Sequence, residues 1–189
     1  VLAVGTVALT GCGSGGGGST STEPEKIINP LTGLECSEAL PARPIQVSIP
    51  IDNYGALPQS NISKADLIYE LPAEGQMTRM QAIFYSEFPD FVGPVRSIRP
   101  YFVDVSAEYK AIHVGYGWGK HARSQMELNN VHYINGMDSG DNPMFYRDEN
   151  RSAPDNAYIK FSSILDKANE EGWMDKTQTI KPFKFRDAE

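Results

Sequence analysis

Two runs of β-forming residues with a short polar connection constrain this chain more than any other feature. Ala65-Asp66-Leu67-Ile68-Tyr69-Glu70-Leu71 and Thr78-Arg79-Met80-Gln81-Ala82-Ile83-Phe84-Tyr85 are rich in branched and aromatic residues, and Ala73-Glu74-Gly75-Gln76-Met77 lies between them. So short a connection cannot carry a crossover, so the two strands are expected to be antiparallel neighbours with Glu74 and Arg79 near one rim.

Upstream, Ile45-Gln46-Val47-Ser48-Ile49 alternates apolar and polar residues as a half-buried strand does, and Pro50 is expected to mark an edge position or a bulge just before Asp52 and Asn53. Ala111-Ile112-His113-Val114 reads as a further strand. It ends in Gly115-Tyr116-Gly117-Trp118-Gly119, which lacks the further glycine of a phosphate-binding loop and is read as a strand-to-helix turn. Short helices are expected over Pro100 to Glu108, over Lys120 to Asn129 with Ala122, Met126 and Leu128 for burial, and over Ser163 to Glu171 with Ser162 as N-cap and Gly172 as stop. Asn135 to Asn142 and the charged stretch from Phe145 to Asn156 are expected to be loops. The fold class is therefore α/β in the mixed α+β sense: a mixed β-sheet with short helices packed on it. With 189 residues, 40% of them hydrophobic, one domain with a sizeable core is the economical count.

The charge balance of 17 Lys and Arg against 24 Asp and Glu gives −7, and no basic block stands out, which argues against nucleic acid as a partner. Cys12 and Cys36 build neither a disulfide framework nor a metal cluster, and His113, His121 and His132 share no ligand spacing. No metal and no cofactor is expected.

The amino end reads as an address. Val1 to Thr10 is an apolar run too short to span a bilayer, and it leads into Leu9-Thr10-Gly11-Cys12, the pattern of a bacterial lipobox whose thiol receives diacylglycerol. Residues 1–12 are thus expected to be a truncated signal peptide with its lipobox, and 13–28 a flexible Gly/Ser linker. The globular domain is placed at 29–175, and 176–189 at the start of a missing carboxy-terminal region. A tether of about a dozen residues reaches on the order of 20 Å. The expected location is the extracytoplasmic face of the cell membrane, lipid-anchored through Cys12, where a cell-wall polymer or lipid-linked precursor is the available partner.

Gly93-Pro94-Val95-Arg96-Ser97-Ile98-Arg99-Pro100 is the chain's strongest candidate site. Pro100 pre-sets φ for a helix start, and Arg96 and Arg99 with Ser97 could grip a phosphate or carboxylate there. Arg79 and Arg147 are the further candidate ligand-binding residues. The alternative is that these arginines pair with the protein's own carboxylates.

Several ordered motifs carry a family resemblance: Asn29-Pro30-Leu31-Thr32-Gly33, Arg43-Pro44, Ile51-Asp52-Asn53, Pro58-Gln59-Ser60, Ala65 to Glu70, Glu74-Gly75 with Thr78-Arg79, Gly93 to Arg99, and Arg147-Asp148 with Ala153-Pro154. Together, over roughly Asn29 to Trp173, the chain resembles the YerB-like lipoproteins of mainly Gram-positive bacteria, catalogued as a domain of unknown function. The resemblance implies a lipid-anchored envelope protein, usually with a further carboxy-terminal domain, and no established reaction. The chain departs from that pattern at Pro50, where the family strand runs uninterrupted, at Gln76, which replaces a glycine, and at Asp155, where histidine is usual. If that histidine moves protons in relatives, this chain lacks it.

Three function classes follow. One is a binding module for an anionic envelope ligand. The second is an enzyme acting on phosphate or glycosidic linkages of cell-wall precursors, with Asp52, Glu70 or Glu74 as base and the arginines stabilising developing charge. The third is a scaffold in which the arginines only hold the fold together.

Overall fold

The computed structural model describes residues 26–51 and 55–186. Cys12, linker residues 13–25 and Asp52 with Asn53 lie outside them, while Ile27 and Ile28, expected to be linker, form a strand. The strands are β1 (Ile27–Ile28), β2 (Glu35–Cys36), β3 (Ile45–Pro50), β4 (Leu67–Pro72), β5 (Thr78–Phe84), β6 (Phe91–Val92), β7 (Ile112–Gly115), β8 (Tyr133–Asn135), β9 (Phe145–Arg147) and β10 (Ala157–Lys160). The α-helices are α1 (Val103–Tyr109), α2 (Ala122–Leu128) and α3 (Phe161–Glu170).

β4 and β5 form the expected antiparallel hairpin, and β5 pairs in turn with β3. β3 then runs parallel to β7, and β7 to β8, so the expected strands share one mixed sheet of order β4-β5-β3-β7-β8. Two short hairpin-like additions complete the fold: β1 with β2, and a three-stranded antiparallel sheet of order β6-β10-β9. In the second of these, β9 lies in a stretch expected to be loop. Strands of two to four residues hold too few positions to show an alternation, and here they form because Val92, Phe145 and Ile159 are drawn into the main core.

Alternation along β3 and its neighbours sorts side chains onto two faces. One face carries Ile45, Val47, Ile49, Ala82, Phe84, Ile112, Val114 and Ile134, all fully buried against the small sheet and against Phe161, Ile164 and Ala168 of α3. Each large side chain so buried contributes roughly 1.5–3 kcal/mol. The other face carries Gln46, Ser48, Gln81 and His113. It is not solvated, as a half-buried strand would require: all four are fully buried, as is Ser106 of α1, which packs over them.

These polar groups survive burial because they satisfy one another. Gln46 Nε2 donates to Gln81 Oε1 (2.9 Å) and to the Phe102 carbonyl (3.2 Å). Ser106 Oγ donates to Gln46 Oε1 (2.8 Å) and lies 2.8 Å from His113 Nδ1, while Ser48 Oγ lies 2.9 Å from His113 Nε2. Each hydroxyl has one proton. Ser106 spends its proton on Gln46, so Nδ1–H of His113 donates to Ser106. Ser48 Oγ also lies 3.0 Å from Gln81 Oε1, but with the ring neutral Nε2 carries no proton, so the single Ser48 proton goes to Nε2 and Gln81 Oε1 is left to Gln46. Burial accordingly pushes the His113 pKa down to about 3 and holds the ring neutral.

Three local readings need correction. β3 runs through Pro50, opposite Arg79, but its pairing with β7 stops at Val47, so the missing N–H costs no bond on that side. Leu128, the last residue of α2, is 74% exposed and takes no part in the core. Ser162 lies inside α3, which starts one residue earlier, where the Phe161 N–H donates to the Asp90 carbonyl (3.1 Å) instead of a side chain capping the helix. Gly172 does end it, at φ +69°.

Candidate functional site

The carboxyl ends of the parallel strands β3, β7 and β8 form one rim of the sheet, the position at which open parallel sheets commonly hold ligands. The arginine stretch lies along this rim. The Arg96 N–H donates to the Ser48 carbonyl (2.9 Å) as β3 leaves β7, and the Tyr116 N–H donates to the Arg96 carbonyl (3.0 Å). The Ile98 N–H then reaches Gly117 (3.0 Å), and the Gly119 N–H returns to Ile98 (2.7 Å). The segment is thus a wedge between two splaying strands.

Its closeness explains the glycine at every second position from Gly115 to Gly119. A Cβ on Gly115 would stand 2.4 Å from Ile98 Cγ1, one on Gly117 2.7 Å from Ser97 Oγ, and one on Gly119 2.6 Å from Arg99 Cδ. Gly117 also adopts φ +100°. These glycines admit the protein's own arginine segment.

Pro100 opens a 3-10 turn (Pro100–Phe102) that runs into α1, as the helix-start argument requires. The Phe102 N–H is taken by the Arg99 carbonyl (3.0 Å), which removes one donor from the anion seat expected at this helix start.

The side chains divide. Arg79, on the same face as the buried polar layer and 3% exposed, donates through Nη1 to the Ser97 carbonyl (2.9 Å). Ser97 Oγ donates to the Tyr116 carbonyl (3.1 Å). Arg99 Nε meets both carboxylate oxygens of Glu74 at 2.6 and 2.8 Å. Desolvation pushes the Glu74 pKa up, but the hydrogen bond from Arg99 and the charges of Arg99 and Arg79 outweigh it, and Glu74 ends below its ordinary value. Arg96 is different: among the described residues its guanidinium makes no hydrogen bond, and its Nε lies 3.5 Å from Asp155 Oδ1. Arg147 is exposed, donates to Asn156 Oδ1 (2.5 Å) and sits over the Tyr116 ring (4.8 Å), which brings it to this rim.

Glu70 stands apart. It pairs in register with Met80, so alternation places it on the opposite face from Arg79, and it accepts from Thr78 Oγ1 (2.7 Å). It lies within β4 and not at a strand end. Asp52 lies outside the described residues.

Sequence reasoning missed two members of the rim. Asp155, seen only as a departure from the family pattern, is the carboxylate facing Arg96 and lines a depression of about 590 Å3 with Leu57, Asn150 and Ser152. Asn135 is fully buried at the end of β8, accepting from the Gly117 N–H (2.7 Å) and the Met137 N–H (3.1 Å). Its Nδ2, like Trp118 Nε1, finds no acceptor among the described residues. Nothing in the local sequence distinguishes Asn135 or Asp155; the paired glycines around Trp118 were the usable signal, since glycine in a strand exit marks a close backbone approach.

Fold and rim together define a mixed α+β domain with arginines at the ends of its parallel strands. A family model described as "Protein of unknown function (DUF3048) N-terminal domain" matches residues 31–174, and the chain belongs to that family. It is 40% identical over 156 residues to a Bacillus subtilis (strain 168) protein named "Putative lipoprotein YerB", covering 82% of this chain and 46% of that one. It also matches the crystal structure of the YerB protein from Bacillus subtilis at a TM-score of 0.75 and 38% identity, over 87% of this chain and 56% of that one. The chain therefore spans about half the length of the relatives it matches. Among the described residues, no helix is long and apolar enough to cross a membrane.

Proposed function

We propose that this chain is a lipid-anchored domain on the extracytoplasmic face of the membrane, held through Cys12, that binds an anionic envelope ligand at the Arg96 rim. The lipobox pattern and the name of the Bacillus subtilis relative support the anchor. The observation that carries the binding reading is the state of Arg96. A guanidinium offers five donors, and here it makes one long ion pair, no hydrogen bond among the described residues, and stays 21% exposed beside the Asp155 depression. Asn135 Nδ2 at the end of β8 adds a buried donor without an acceptor among the described residues, an arrangement that costs about 1–3 kcal/mol unless something accepts from it.

Binding is favoured over cleavage because the described carboxylate candidates are engaged elsewhere. Glu74 has both oxygens taken by Arg99 and its pKa lowered, which makes it a weak base, and Glu70 lies on the other face of the sheet. Arg79 and Arg99 act in this reading as braces that keep the segment in place, while Arg147 stands at its margin.

The test is calorimetry with undecaprenyl pyrophosphate in detergent and with inorganic pyrophosphate as the headgroup alone. Arg96→Lys keeps the charge but loses the bidentate fork, and affinity should fall about tenfold or more. Unchanged affinity in that variant, or no binding by the natural protein, refutes the reading.

A further inference from the structure

The small sheet carries aromatic residues on the face turned away from the core, where Tyr158 is 3% exposed and Tyr146 and Phe91 are the accessible rings. Tyr146 and Tyr158 are opposed in register across β9 and β10, and Phe91 opposes Lys160 across β6 and β10. Alternation therefore sets these four on one face, while Phe145, Ile159 and Val92 turn into the core. The Tyr146 and Tyr158 rings stack at 5.5 Å and 27°, Phe91 lies 6.3 Å from Tyr158, and Lys160 Nζ sits 5.9 Å over Tyr146. Phe91 is 38% exposed. Between this face and the first turn of α3 lies a cavity of about 520 Å3, bordered by Phe88, Phe91, Tyr146, Asp90, Lys160 and Ser162.

The fold uses Tyr158, which packs on Gly93, but it does not need aromatic rings at Tyr146 and Phe91, where polar residues would serve equally. A stable protein partner would need about 800 Å2 of surface on this side, with charged groups scarce at its centre. Here the bare rings are few, and a carboxylate, an ammonium and a hydroxyl stand in the same small cavity. The volume falls in the range of small-ligand sites. Flat ring faces edged by hydrogen-bonding groups suit a ligand with an apolar C–H face and a periphery of hydroxyls.

We propose that this cavity binds a saccharide ring of an envelope glycan, its C–H face on Tyr146 and Phe91 and its hydroxyls toward Asp90, Ser162 and Lys160. The proposal takes the extracytoplasmic location from the functional reading above, which makes a glycan available, but it does not depend on Arg96. A neutral probe separates the two: an N-acetylglucosamine tetramer carries no anion, so failure of the Arg96 site leaves this result standing.

Saturation-transfer NMR on the whole chain should show transfer to the ring C–H protons of the tetramer. Tyr146→Ala and Phe91→Ala should each weaken binding about tenfold or more. Ser162→Ala, which leaves the rings untouched, should weaken it severalfold, and Leu128→Ser on α2 should leave it unchanged. No transfer with the natural protein, equal affinity in Tyr146→Ala and Ser162→Ala, or Phe91-dependent self-association without saccharide binding would overturn the proposal.

Discussion

Arg96 and Arg99 lie on one extended segment and are similarly buried, at 21% and 14% exposure, yet their donors are spent differently. Arg99 packs over Gly119 and has both oxygens of Glu74 on its Nε. Among the described residues the Arg96 guanidinium has one ion pair, at 3.5 Å to Asp155 Oδ1, and no hydrogen bond. Accessible area alone would rank the two together; counting hydrogen bonds separates a brace from a group with donors to offer.

The segment that carries both arginines is tied to the strands of the buried polar layer through the Ser48 carbonyl and Arg79, and acid should undermine that layer most. His113 stays neutral in the folded chain down to about pH 3 but protonates near its ordinary 6.5 when unfolded. The unfolded state then binds more protons between those values. Stability is therefore full above about pH 6.5 and falls by about 1.4 kcal/mol per unit below it. Nitrogen-detected NMR should find the His113 ring neutral at pH 5, with the proton on Nδ1. An imidazolium at that pH would break the account of the layer.

Next in size is Arg79→Ala. It removes the donor to the Ser97 carbonyl from a site only 3% exposed, and should cost about 3 kcal/mol, seen as a fall in melting temperature of about 6–12 °C. A variant that melts like the natural protein would mean that the arginine segment is held in place by other contacts.

The smallest effect sharpens the Arg99 side. Gln76, in the turn that carries Glu74, adopts φ +64°, the left-handed region that favours glycine. Gln76→Gly should raise stability by about 0.5–1 kcal/mol in urea titrations, and a loss of stability would show that the Gln76 side chain contributes more than its strain costs.

How much of this could be read from the residues depends on range. The β4–β5 hairpin, β3 and the helices show their periods over five or more residues and were legible; β7, at four residues, was legible from its apolar run and the glycines that end it. The covering of the polar face was not, because Gln46 and Ser48 alternate with valine and isoleucine whether water or Ser106 lies above them. Arg96, Ser97 and Arg99 were legible as a unit, and the rim that receives them was not, since Asp155 and Asn135 reach it only through tertiary pairing. The glycines from Gly115 to Gly119 were visible, but their role as a berth for another segment appears only when that segment is beside them.

The most direct measurement compares Arg96→Lys with Arg99→Lys in a titration with inorganic pyrophosphate, with the melting temperature of each variant recorded alongside. The expected result is a loss of about tenfold or more in affinity for Arg96→Lys and less than about twofold for Arg99→Lys. Equal losses in the two variants, or a larger loss for Arg99→Lys, would contradict the division of roles between them.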